Sequence, residues 1–169
     1  MSNIFEKLGS YQILTNLLPG AFFSLTVKFF FDLTLPTKNV GEDIVVYYFV
    51  GLIINRIGSL VVEPVLKKFH FIEYAPYPDF VKAMKADLKI DTLSETNNYT
   101  RSLLTCVLLL PAIWILKALA SKWTWFSLNL EWGAIAFLFV LFLLAYRKQT
   151  NYVRKRVEEV IRRRETKSG

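Results

Sequence analysis

Gly51, Asn55, Gly58, Ser59 and Glu63 recur at helical spacing, which sets small and polar groups on one narrow strip of an otherwise apolar helix, with Arg56 at its edge. Such a strip suits two kinds of chemistry. Small residues let two helices approach closely, and Asn or Ser can hydrogen-bond across the contact. Alternatively, polar groups line a water-filled path and an arginine selects or gates what passes. Asn55, Arg56, Ser59 and Glu63 are therefore the candidate pore-lining or interface residues. Lys28 and Asp32 are further ionic side chains inside an apolar run. An unpaired charge at the centre of a bilayer costs at least ~2.5–3.5 kcal/mol, so intramembrane charges are the first suspects for function. Counting residues puts Lys28 and Arg56 both about 14–18 Å from one face, with Asp32 nearer that face. Asp32 is then within reach of Lys28, four residues earlier, or of Arg56 across a hairpin.

Other chemistry has little to stand on. His70 is the only histidine and Cys106 the only cysteine, which leaves no metal-binding His pair, no zinc set and no disulfide framework. Asp32 has no second intramembrane aspartate with which to share a proton. Asp79, Asp87 and Asp91 read as capping and solvated residues, and neither a glycine-rich phosphate loop nor a Gly-x-Ser-x-Gly elbow occurs. The expectation is a protein without enzymatic activity, metal or cofactor.

The elements that must position the strip follow from hydropathy. Of 169 residues, 53% are hydrophobic, above the 45–50% usual in soluble domains, and they gather in blocks rather than stripes. Residues 137–144 are apolar on every face, as a helix in lipid is. Four runs, 17–35, 44–62, 103–120 and 125–146, approach the ~20 residues that span a hydrocarbon core of about 30 Å. These features predict an all-α integral membrane protein: four transmembrane helices, an amphipathic N-terminal helix and a long basic C-terminal helix. Its parts are an interfacial helix at 1–16, a membrane domain at 17–146 with a loop at 64–101, and a basic helix at 147–169.

Lysine and arginine mark the cytoplasmic side. Lys67, Lys68, Lys82, Lys85, Lys89 and Arg101 lie between the second and third runs, and nine more bases follow the fourth. The other two connections offer only Lys38 and Lys122. Both termini and the middle loop are expected in the cytoplasm, with Trp123, Trp125 and Trp132 as an outer aromatic belt. No cleavable signal peptide is expected, because Lys7 is the only base before the first run.

Local signals fill in the rest. Pro19 suits the first turn of the first span, and Asp79 a cap for a short helix with Phe80, Val81, Met84 and Leu88 on its apolar side. Thr92 and Glu95 form a capping box, and Pro111 a kink. In the tail, Val153, Val157, Val160 and Ile161 recur at helical spacing, and Arg154–Glu158 and Glu158–Arg162 are among its pairs four apart. No Gly or Pro separates Gly133 from Glu165, so one helix runs through the membrane and out of it. Arg154, Arg156, Arg162, Arg163 and Arg164 are candidate contacts to anionic lipid or a cytoplasmic protein partner. Nucleic acid is disfavoured, since no stacking aromatic follows Tyr152 and carboxylates interrupt the bases.

Ser10-Tyr11-Gln12-Ile13-Leu14-Thr15-Asn16-Leu17-Leu18-Pro19-Gly20, the segment 47–68 with Arg56-Ile57-Gly58-Ser59-Leu60, and Leu93-Ser94-Glu95-Thr96-Asn97-Asn98-Tyr99 resemble a family of small bacterial membrane proteins. In size and layout the chain is similar to accessory membrane proteins of antiviral defence loci, including those beside type VI CRISPR effectors. That resemblance implies an oligomeric effector in the bacterial inner membrane that forms a pore or alters permeability during phage infection. The RNase motif proposed for some of these proteins, Arg followed four to six residues later by His, is missing around His70. The alternative is a non-conducting scaffold that recruits a cytoplasmic partner through the middle loop and basic tail.

Overall fold

A computed structural model describes the backbone of residues 2–32, 39–87, 89–122 and 124–168, and the side chains of 13, 15–32, 39–87, 89–122 and 131–162. The described residues form helices and short connections, without a strand. They comprise α1 (Ser2–Phe31), α2 (Val40–Ile57), α3 (Glu63–Lys68), α4 (Tyr77–Ala86), α5 (Lys89–Lys122) and α6 (Thr124–Ser168). A single π-helical turn, Gly58–Val62, joins α2 to α3 into one rod. Among the described residues, three stretches are long and apolar enough to cross a membrane: Val40–Lys68, Lys89–Lys122 and Glu131–Arg162. The first apolar run occupies the second half of α1 and continues into 33–35, outside the described residues.

Side-chain contacts set the directions. Gly20 of α1 lies against Tyr47 and Gly51 against Asn16, so α1 and α2 are antiparallel. Cys106 Sγ meets the Pro19 carbonyl at 3.5 Å and Lys117 Nζ donates to the Phe31 carbonyl at 2.9 Å, so α5 runs parallel to α1. Lys148 of α6 returns to the level of Arg101, near the start of α5, since both reach Glu63. The long helices therefore alternate up, down, up, down.

Small residues make the closest helix contacts, beside a core that also holds Val27, Ile54, Val81 and Leu141. An added Cβ on Gly20 would lie 1.7 Å from the Tyr47 carbonyl oxygen, and one on Gly51 1.7 Å from that of Asn16. The two backbones are thus in direct contact, which only glycine permits. Ser102, Thr105 and Cys106 present the matching small face of α5, fully buried, with Ser102 and Thr105 hydroxyls returned to the carbonyls four residues back. Large apolar side chains point outward instead: Phe29 is 83% exposed, and Phe30, Phe49, Trp114, Trp132 and Phe139 are also exposed. Small residues at the helix contacts with many large apolar side chains outside them is a pattern expected of helices that pack in an apolar solvent.

Several local expectations are corrected. Segment 1–16 is not a separate helix: α1 is continuous, and Pro19 lies in its interior rather than its first turn. Proline's lost hydrogen bond is tolerated there because Asn16, Pro19 and Gly20 are all clamped against neighbouring helices. Asp79 does not cap α4, which starts at Tyr77 behind Pro76, and its carboxylate instead lies 3.8 Å from exposed Lys82. Nor does Thr92 open α5: the helix begins at Lys89, whose N–H donates to Asp87 Oδ1 at 2.9 Å. Val81 of α4 is buried, as its apolar side requires. Trp123 and Trp125 lie outside the residues whose side chains are described.

Candidate functional site

Glu63 organises the one concentrated polar centre among the described residues. Its side chain is 7% exposed and faces three cations: Arg101 Nη1 at 2.6 Å, Lys67 Nζ at 3.0 Å and Lys148 Nζ at 3.6 Å. Arg101 Nη2 also donates to Asn55 Oδ1 at 3.1 Å, and Asn55 Nδ2 to Asn16 Oδ1 at 3.3 Å. The network ties together α1, α2, α3, α5 and α6. One carboxylate against three cations leaves two positive charges in excess at this end of the bundle. Lys67 lies over the Tyr74 ring at 4.1 Å, and Tyr74 Oη accepts from Asn97 Nδ2 at 3.1 Å, so the loop after α3 is tied in as well.

The backbone explains why Lys148 is held there. In the π-turn the Glu63 N–H donates to the Gly58 carbonyl, five residues back. The Ser59 carbonyl thereby loses its ordinary partner four residues on, and the next amide belongs to Pro64, which has no N–H. That orphaned acceptor is satisfied by Lys148 Nζ at 2.6 Å, which also donates to Ser59 Oγ at 2.7 Å. A buried carbonyl without a donor costs about 1–3 kcal/mol, so proline, π-turn and lysine form one device. Pro64→Ala is expected to supply the missing amide and relax Gly58–Val62 toward α-helix, turning residues beyond 63 on the helix. Lys148 should then be released, measured as faster labelling of its amine in detergent; unchanged labelling would show the turn to be imposed by packing alone.

Gly58 makes room for this centre. A Cβ there would meet Thr105 Oγ1 at 2.7 Å and the Arg101 side chain at 3.5 Å. Arg101 Nε is buried without a hydrogen-bond partner among the described residues. Three other charges expected to pair do not, among the described residues. Arg56, one residue from Asn55 and so about 100° round the helix, has no hydrogen bond or ion pair among the described residues. Lys28 and Asp32 are exposed near the far end of α1, and no ion pair joins them to each other or to Arg56 among the described residues. The expectation of equal depth for Lys28 and Arg56 fails, because the Gly20–Gly51 crossing fixes their levels. Lys28 lies eight residues beyond Gly20 toward one end and Arg56 five residues beyond Gly51 toward the other, about 20 Å apart along the axis.

Of the expected strip, then, Asn55, Ser59 and Glu63 come together inside the protomer, whereas Arg56 stays outside the network. Sequence reasoning missed Asn16, Lys67, Arg101 and Lys148 as site residues, having counted the last three as flanking bases. The Glu63–Lys67 pair was readable from its spacing of four. Lys148 was not readable in this way, because the run before it is apolar on every face and only the structure shows Leu141 and Ala145 to be the buried residues of its stripe. In the tail, Arg154 pairs with Glu158 at 3.5 Å and Arg162 with Glu159, three residues before it. Arg156 is half-buried, and the side chains of Arg163 and Arg164 lie outside the described residues. No three His, Cys, Asp or Glu side chains cluster as a metal site would need, among the described residues. No protein-family model, curated protein or solved structure matches the chain.

Proposed function

We propose that this chain is a four-span protein of a bacterial inner membrane that serves as a scaffold, presenting a rigid basic arm to a cytoplasmic protein partner. Lys148 carries the reading. It locks α6 to the π-turn and to Glu63, and the same helix then continues without a break to Ser168, about 30 Å further. A helix clamped at its base and basic along its length is a directional element for recruitment. The membrane placement is supported by the three long apolar helices and by the outward-facing Phe and Trp side chains. The positive excess around Glu63, with Lys67, Lys68 and the α6 bases, favours a cytoplasmic network end and cytoplasmic termini.

A second reading, an oligomeric pore or permeability-altering effector in antiphage defence, draws on Arg56. The strip is used within the protomer, but this arginine is two turns from Glu63 and without a protein partner among the described residues. A second copy or water would stabilise it. Residues 131–137 of α6 are exposed all round and Gly133 has nothing within 4 Å, which leaves a free face for a homo-oligomer.

One set of strains separates the two. Membrane potential is followed by a voltage-sensitive dye in cells expressing the full chain, an Arg56→Leu variant and a chain lacking 150–169. A scaffold leaves the potential unchanged in all three, and only the truncated form loses its partner in membrane crosslinking. Depolarisation by the full chain that Arg56→Leu abolishes would overturn the scaffold and establish the permeability reading.

A further inference from the structure

A cleft of about 450 Å³ opens between the π-turn and α6, just outside the Glu63 network. Its volume lies within the ~300–1,000 Å³ of small-molecule sites. Leu60 and Leu144 form its apolar part, and Arg147, Lys148 and Lys155 supply its cations. Asn151 and Tyr152 complete the wall with an amide and a hydroxyl. Residues 144, 147/148, 151 and 155 fall on one face of α6, so the lining is ordered along the axis. Leu144 belongs to the apolar run, and Lys155 stands about 16 Å beyond it, outside the run.

The charges in this cleft are unbalanced. Lys148 is held in its floor by Ser59 and Glu63 and is 26% exposed. Arg147 and Lys155 have no ion pair among the described residues, and no carboxylate lines the cleft. The occupant therefore needs an anionic oxygen-rich group at the cation end and hydrocarbon at the Leu60–Leu144 end. Those two chemistries, in that order along the membrane normal, belong to a phospholipid with an anionic headgroup.

We propose that the cleft is a binding site for one anionic phospholipid, its phosphate held by Arg147 and Lys155 with Asn151 and Tyr152, and its acyl chain running past Leu144. Electrostatics pre-set by Lys148 would draw the headgroup in, and the occupied cleft would brace the root of the α6 arm. A soluble phosphate shares the headgroup chemistry but makes no use of the apolar end. This inference rests on the membrane placement proposed above.

The test uses the full chain, purified in detergent and incubated with vesicles' lipids, phosphatidylglycerol or phosphatidylcholine, with retained lipid counted by native mass spectrometry. Phosphatidylglycerol is expected to be retained over phosphatidylcholine. Replacing both Arg147 and Lys155 by alanine should weaken its retention by about 30-fold, the effect of two bases near a headgroup. Both side chains lie outside the network, so this variant keeps the fold. The charge-conserving pair Arg147→Lys with Lys155→Arg should retain the lipid. Equal retention of both lipids, or undiminished retention by the alanine pair, would overturn the site. So would displacement of phosphatidylglycerol by millimolar glycerol phosphate, which would mark a soluble-anion site. Alkaline extraction of native membranes is run alongside: a protein that resists extraction yet shows no lipid preference loses only this site, whereas one that is extracted loses the membrane placement too.

Discussion

Glu63→Ala should destabilise the protein by about 3–5 kcal/mol, because it removes the single carboxylate that three cations share. The burden falls unevenly. Lys67 is 44% exposed and can turn to solvent, but Arg101 is only 14% exposed and already has one unsatisfied nitrogen. Arg101 and Lys148 would then face each other at the meeting point of α2, α5 and α6 with nothing to separate their charges. Glu63→Gln should cost less, since an amide keeps the shape and one acceptor. The measurement is unfolding by denaturant in detergent, read from helical circular dichroism. Adding Lys148→Met to Glu63→Ala should cost less than the sum of the two single changes, because one orphaned cation leaves with its partner even though the Ser59 carbonyl loses its donor; coupling of about 0.5–3 kcal/mol is usual for residues sharing a network. If Glu63→Ala lies within ~0.5 kcal/mol of wild type, as ordinary surface substitutions do, the network does not hold the bundle together.

Gly51→Ala should be the other severe change, and for a different reason. Its methyl would sit 1.7 Å from the Asn16 carbonyl oxygen, an atom of a packed helix backbone that cannot swing aside. Relief requires α1 and α2 to separate along the crossing, which would stretch the 3.3 Å Asn55–Asn16 hydrogen bond and loosen Asn55 from Arg101. Overpacking commonly costs about 1–3 kcal/mol, and contact with backbone places this site at the upper end or beyond. Gly20→Ala meets Tyr47 at the same distance and should behave alike. Gly133→Ala is the control: the site is open, and an exposed helical glycine replaced by alanine gains about 0.8–1.0 kcal/mol. Melting temperatures of the three variants in one detergent decide the matter. A similar gain at 51 and 133 would mean that helix propensity, not the crossing, governs.

Gly51 and Glu63 show how far the chain could be read. Their spacing on one strip with Asn55, Gly58 and Ser59 announced a contact face, and the apolar blocks announced long helices. The unbroken α6 followed from its want of glycine and proline after Gly133. Pro19 misled, because intrinsic preference places proline at a helix start, whereas here the helix continues past it with Asn16, Pro19 and Gly20 packed against neighbouring helices. Thr92 misled similarly: Asp87 reached the first free amide before it.

Composition and periodicity alone determined the helices, their apolar character and the strip, since each depends on residues within a few turns of one another. Which charges meet was decided only in three dimensions. Glu63 finds Arg101 and Lys148, 38 and 85 residues away, because the Gly20–Gly51 crossing and the π-turn set the axial register and rotation of the helices. A shift of one residue turns a side chain by about 100°, and so a register that no single segment encodes chooses between a neutralised carboxylate and an isolated one.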